Sequence, residues 1–196
     1  VIPGLSPDFI DFESYEAKLK AVCANSNSDL SHWPSIKFGL ETAMLDLQNG
    51  GEGIVFDNAF ARGAKRIPIN GLIWMGDQTF MLEQIEEKLN AGFTTLKMKI
   101  GAIDFDSAYE VLKSIRKRYN SNEITMRVDA NGSFSMNEVL GKLELLAQLD
   151  IHSIEQPIKA GQWNDMAKLC SETPLPIALD EELICIHPTE DKKELL

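Results

Sequence analysis

Four short stretches hold the side chains best suited to chemistry: Thr95-Leu-Lys-Met-Lys-Ile-Gly101, Arg127-Val-Asp-Ala-Asn-Gly132, Glu155-Gln-Pro157 and Leu179-Asp-Glu181. Each is the tail of an apolar run, and each puts a lysine or a carboxylate where a strand gives way to a loop. Asp129 and Glu155 are 26 residues apart, and Glu155 and Asp180 are 25 apart. That is the length of one strand, one helix and two loops. Three successive parallel strands would each offer one carboxylate, and the strand before them two lysines. Three carboxylates facing one point repel one another unless a cation lies among them. An all-oxygen donor set with no Cys or His suits Mg²⁺. Singly, each has an ordinary reading: Asp129-Ala-Asn-Gly132 as a turn, Glu155 as a lysine's partner, Asp180-Glu-Glu182 as the cap of a following helix. Their common register favours the metal.

Lys97 and Lys99 stand at i and i+2 and share one face of a strand. Both could point to solvent. However, Leu96, Met98 and Ile100 interleave them and are the better residues to pack under helices, which turns the lysines inward. Close cations depress each other's pKa, as does a nearby Mg²⁺, and a lysine so depressed is a usable base near neutral pH. If the three carboxylates point inward, so do the residues two before them: Arg127, Ser153 and Ala178. Arg127 would fill the room its small neighbours leave, and it would need a buried carboxylate partner.

The elements that must position these groups follow from periodicity and breakers. Residues 1 to 12 read as loop. Helices are expected over about 14 to 24 and from Pro34, with Ile36, Leu40, Ala43, Met44 and Leu47 as an apolar stripe ended by Gly50 and Gly51. A regular alternation then begins. Strands are expected at 67–74, 95–100, 124–129, around 153–155 and at 177–180. Helices are expected at 79–91, from Asp104 to about Tyr119, from the Ser135/Glu138 capping box to about Leu149, over 163–171, and from Pro188 onward. This βαβ rhythm implies a parallel sheet with right-handed crossovers. No glycine-rich phosphate loop is present, and functional residues at the carboxyl ends of several strands favour a (β/α) barrel over a doubly wound sheet. A barrel needs about eight strands; this chain offers five, so it looks cut off.

The chain has 196 residues, 44% hydrophobic and 25% charged, with a net charge of -11. The acidity argues against nucleic acid or an anionic membrane as a main partner. It leaves room for a small anionic substrate, because a bound cation reverses the sign locally. Cys23, Cys170 and Cys185 form no CxxC pair and point to a reducing compartment. With neither a signal peptide nor a membrane span evident, the expectation is a cytoplasmic protein. His32, His152 and His187 have no partner at ligand spacing and read as structural or surface residues. Trp33, Trp74 and Trp163 read as packing residues, although Trp74, just past the first strand, stands where it could line the site.

Lys97-Met-Lys99, Asp129-Ala-Asn131, Glu155-Gln-Pro157 and Asp180-Glu181 together resemble the enolase superfamily, and within it the muconate-lactonizing subgroup. The helix Trp33 to Leu47 is similar to the one that closes that family's capping domain. With Pro3-Gly-Leu-Ser-Pro7 and Ile69-Asn-Gly-Leu-Ile73, it most resembles the o-succinylbenzoate synthase family. The resemblance implies residues 1–66 as the remainder of an N-terminal capping domain and linker, and 67–196 as the first part of a (β/α) barrel catalytic domain. It implies Mg²⁺ held by Asp129, Glu155 and Asp180, Lys99 as base, Lys97 as electrostatic helper, and Asn131 and Glu181 supporting the ligands. The implied reaction is a dehydration that forms an aromatic ring in menaquinone biosynthesis. The rivals are a dipeptide epimerase or N-acylamino-acid racemase of the same superfamily, or an inactive partial barrel that at most binds Mg²⁺. The family places another lysine at the end of the sixth strand, and this chain stops before it. The 196 residues alone are therefore expected to be inactive or nearly so, with two unpaired sheet edges.

Overall fold

A computed structural model describes residues 33–184 without a break, together with Ala17, Ala21, Ile186 and residues 191–193. Most of the first expected helix and the start of the last lie outside the described residues, as do His32, His187, Cys23 and Cys185. The chain divides into two compact units, Val1–Pro68 and Ile69–Leu196. In the first, α1 (Pro34–Gln48) opens with proline in its first turn and closes at Asn49. Gly50 and Gly51 follow with φ of 101° and 73°, a left-handed path that only glycine adopts freely. Of the expected stripe, Leu40, Met44 and Leu47 are half-buried, while Ile36 and Ala43 are exposed. Residues 54–60, ambiguous in sequence, form turns and bends.

The second unit alternates strictly: β1 (Gly71–Ile73), α2 (Gln78–Asn90), β2 (Thr95–Lys99), α3 (Phe105–Arg118), β3 (Thr125–Asp129), α4 (Val139–Ala147), β4 (Ile151–Glu155), α5 (Trp163–Glu172), β5 (Ile177–Ala178), then a 3₁₀ turn over Glu181–Leu183. The five strands form one parallel sheet in the order β1-β2-β3-β4-β5. This is a partial (β/α) barrel, as the alternation implies. The first strand is shorter than the apolar run 67–74, since Ile67 and Ile69 are exposed and precede the paired stretch. Asp77 and Asp104 cap α2 and α3 by accepting the backbone N–H of Phe80 and Ser107. The capping box at Ser135 is only half made. The Glu138 carboxylate accepts the Ser135 N–H, but regular helix starts three turn residues later, at Val139.

Each helix of the second unit buries one stripe against the sheet. In α3 it is Ala108, Val111, Leu112 and Ile115, at i, i+3, i+4 and i+7. The strands answer with Leu96, Met98, Met126, Val128 and Ile154, each at most 2% exposed. Parallel strands are usually apolar on both faces. Here burial alternates, because the opposite face carries the charged residues. Arg116, half-buried, ties the end of α3 to the loops that lead into β3 and β4. Its guanidinium donates to the carbonyls of Leu149 (2.8 Å), Ile124 (3.0 Å), Asp150 (3.2 Å) and Tyr119 (3.3 Å). No helix among the described residues is long and apolar enough to cross a membrane.

Candidate active site

Register brings the inward residues of four strands side by side. Leu72 pairs with Lys97, Lys97 with Arg127 and Arg127 with Ser153; one step on, Lys99 pairs with Asp129, Asp129 with Glu155 and Glu155 with Ala178. The lysines therefore face the same side as the carboxylates. Lys97 Nζ lies 2.5 Å from Glu155 Oε2 and 3.4 Å from Asp129 Oδ2. Lys99 Nζ lies 2.8 Å from that same Asp129 oxygen and 3.2 Å from Asn131 Oδ1. Asp129 is fully buried, and its second oxygen accepts the Asn131 N–H at 3.0 Å. Two ammonium groups and two carboxylates thus close into one charge-balanced cluster.

Burial alone would weaken the charge on Lys97. The Glu155 hydrogen bond and the Asp129 and Glu155 charges outweigh it, and its pKa stands above the ordinary lysine value. For this residue the depression expected from a neighbouring cation is reversed, because the carboxylates are in direct contact. Burial likewise opposes ionisation of Asp129. The Lys99 and Asn131 hydrogen bonds and the two ammonium charges prevail, and its pKa is held low.

Asn131 adopts a left-handed φ of 47°, which turns its side chain back over the cluster. Its Nδ2 donates to Glu181 Oε1 at 3.0 Å, so both residues expected to support the carboxylates touch each other. Asp180 is exposed on the turn after β5. Trp74 sits at the end of β1 with Lys99 Nζ 5.6 Å from its ring centroid. The Gln84 side chain holds Trp74 by both its N–H (2.9 Å) and its carbonyl (3.0 Å). Trp74 therefore lines the site and is not a packing residue. Arg127 is half-buried on the inward face, as expected, but its buried Nε has no hydrogen-bond partner and no carboxylate pairs with it among the described residues.

Gln156 and Glu182 had no role assigned from sequence, yet both are buried at this end of the sheet. Buried polarity is invisible in a sequence, and the only hint was that Gln156 follows a proposed ligand directly. Gly101, just past β2, packs closely against the backbone at Ala130. A Cβ there would lie 2.3 Å from the Ala130 carbonyl oxygen.

Among the described residues, no group of three His, Cys, Asp or Glu side chains converges as a metal site. The register aligns Asp129 and Glu155, but their side chains close on lysines. The donor chemistry nonetheless fits a hard divalent cation. Every candidate ligand is a carboxylate oxygen, and Glu181 Oε2 is a buried acceptor with no hydrogen-bond partner, which a nearby cation would satisfy.

Residues 81–191 match the family model described as enolase C-terminal domain-like. An o-succinylbenzoate synthase of Desulfotalea psychrophila is 48% identical over 178 residues, covering 90% of this chain and 48% of that protein. A crystal structure of MenC from the same organism superposes with a TM-score of 0.73 at 43% identity, over 95% of this chain and 52% of that one. A dipeptide epimerase from Methylococcus capsulatus, solved with a Mg ion, gives a TM-score of 0.54 at 29% identity, over 60% of this chain and 34% of that one. The chain spans about half the length of the curated relatives it matches most fully.

Proposed function

The chain belongs to the enolase superfamily, in its muconate-lactonizing subgroup, and from that membership we propose that the whole protein is a Mg²⁺-dependent lyase that forms o-succinylbenzoate. The reaction removes the proton α to a carboxylate and expels a hydroxyl, leaving an aromatic ring. The observation that carries this reading is the lysine–carboxylate cluster at the carboxyl ends of β2, β3 and β4. It brings two cations and two anions together at the end of the sheet where the proposed chemistry needs them.

The two lysines take different roles in this reading. Lys97 is gripped by Glu155 and Asp129, and its raised pKa keeps it an ammonium. It supplies fixed positive charge beside a developing anion. Lys99, paired with Asp129 at 2.8 Å, lies at the carboxyl end of β2 between Trp74 and Asn131. It accepts the α-proton as the C–H bond breaks. It then returns a proton to the hydroxyl as the C–O bond breaks, so that water leaves and the charges balance. Asp129, Glu155 and Asp180 would hold Mg²⁺, which when bound would polarise the substrate carboxylate and stabilise charge developing on it. Asn131 bridges Lys99 and Glu181 and fixes the base laterally. The odd cysteine count supports a reducing, cytoplasmic setting.

Following the proton in D₂O tests the reaction class. A lyase converts the hydroxylated cyclohexadiene carboxylate precursor into o-succinylbenzoate. An epimerase would instead place deuterium on the α-carbon of a dipeptide with inversion and no loss of water. Dipeptide exchange without ring formation would replace this proposal by the epimerase reading.

A further inference from the structure

Gln156 is the residue directly after proposed ligand Glu155, and it is completely buried. Its backbone takes a left-handed φ of 39°, a strained conformation for a non-glycine residue that the surroundings must enforce. Every polar atom of its side chain is used. Oε1 accepts the backbone N–H of Asp180 and of Glu182, each at 3.1 Å. Nε2 donates to the Ile158 carbonyl at 3.0 Å and to Glu182 Oε2 at 3.2 Å. The other Glu182 oxygen accepts the Gly161 N–H at 2.8 Å. The Gln156 N–H itself donates to the Ala178 carbonyl.

These bonds join three separate segments: the end of β4, the loop at 158–161 and the turn after β5. A further tie to that turn is the hydrogen bond from Asn131 Nδ2 to Glu181 Oε1. Strand pairing between β4 and β5 stops at Ala178, and Asp180 is exposed. We infer that Gln156 and Glu182 are positioning residues that hold the Asp180 backbone against the end of β4, two residues past the Glu155–Ala178 pair, so that the third ligand is presented on the same side as the first two. This rests on the proposed Mg²⁺ role of Asp129, Glu155 and Asp180. The clamp works through the Asp180 main chain, leaving the carboxylate free for the ion. An apolar residue at 156 strands the Asp180 and Glu182 N–H groups and one Glu182 carboxylate oxygen without partners.

Backbone exchange and metal binding together test the lock on the 196-residue chain. In Gln156→Leu and Glu182→Leu, amide exchange at Asp180 and Glu182 is expected to accelerate at least tenfold, while that at Val128 is unchanged. Mg²⁺ affinity by calorimetry should fall about 10- to 100-fold, the usual effect of losing a group that orients a ligand. Glu182→Gln keeps an acceptor for the Gly161 N–H but turns an amide donor toward Gln156 Nε2, and it should lose less Mg²⁺ affinity than Glu182→Leu. If either leucine variant fails to fold, the milder Gln156→Asn, whose shorter amide cannot span all three segments, is expected to show the same two changes. Unchanged exchange at Asp180, or unchanged Mg²⁺ affinity in a folded Gln156 variant, would overturn the inference. A wild-type chain that takes up no Mg²⁺ would instead sink the metal reading, and exchange at Asp180 would still decide whether Gln156 fixes the turn.

Discussion

Replacing Asp129 by Asn removes the charge at the centre of the cluster while keeping its shape. At an effective dielectric of about 20, the gross attraction is about 6 kcal/mol for Lys99 at 2.8 Å and about 5 kcal/mol for Lys97 at 3.4 Å. Desolvation of the buried carboxylate and repulsion between the lysines offset much of this. Removing one partner of a buried pair typically costs about 3–5 kcal/mol. The lower end applies here, because the lysine side chains remain 18–19% exposed and can recruit water. With an m-value of about 2 kcal/mol/M, a loss of about 3 kcal/mol lowers the urea midpoint by about 1.5 M. The pH dependence has a fixed sign. The Asp129 pKa is depressed below 3.8, so its contribution is present above the ordinary carboxylate range and disappears as pH falls through the folded-state value. The Lys97 pKa is raised above 10.5, so its contribution is complete below that value and is lost as pH rises through the folded one. The wild type should therefore exceed Asp129→Asn by about 3 kcal/mol at pH 7, with the gap closing toward both acid and strong alkali. Urea titrations at pH 3, 7 and 11 measure it. A difference below about 1 kcal/mol at pH 7, or one unchanged at pH 3, would refute the reasoning.

Arg116→Met leaves four loop carbonyls without their guanidinium; hydrogen bonds from a charged donor are worth about 1.5–3 kcal/mol each and are not additive, so a loss of about 3 kcal/mol in urea unfolding is expected. Gly101→Ala drives a methyl against the Ala130 carbonyl, and overpacking against backbone should destabilise by about 2 kcal/mol, with a shifted amide resonance at Asn131 in NMR. Trp74→Leu removes an aromatic face worth about 0.5–1 kcal/mol to a cation; kcat of the whole protein should drop about two- to fivefold with the urea midpoint unchanged, since Gln84 still holds the backbone.

Much of the barrel was legible because its signals are local. The period-2 alternation in Thr95–Lys99 and the i, i+3, i+4 pattern in Phe105–Arg118 are properties of contiguous residues, and Asp104 declares its cap within three positions. The lysines could be matched to their carboxylates because parallel register is regular, so Lys99, Asp129 and Glu155 fall in one row. What escaped depends on partners far along the chain. Gln156 meets Glu182 across 26 residues, and Arg116 meets Asp150 across 34. No local pattern distinguishes such a residue from an exposed one. The reversal at Lys97 has the same origin: sequence spacing shows the neighbouring lysine, but only the fold shows that two carboxylates are nearer.

In the proposed reaction Lys99 moves the α-proton of a carboxylate, with Mg²⁺ held by Asp129, Glu155 and Asp180. The direct measurement is formation of o-succinylbenzoate by the full-length protein, with and without Mg²⁺, in wild type and in Lys99→Met. The account predicts ring formation that stops on chelation and falls by at least about a thousandfold in Lys99→Met, consistent with loss of both proton transfers. Product formed at the wild-type rate by Lys99→Met, or undiminished by chelation, would contradict it.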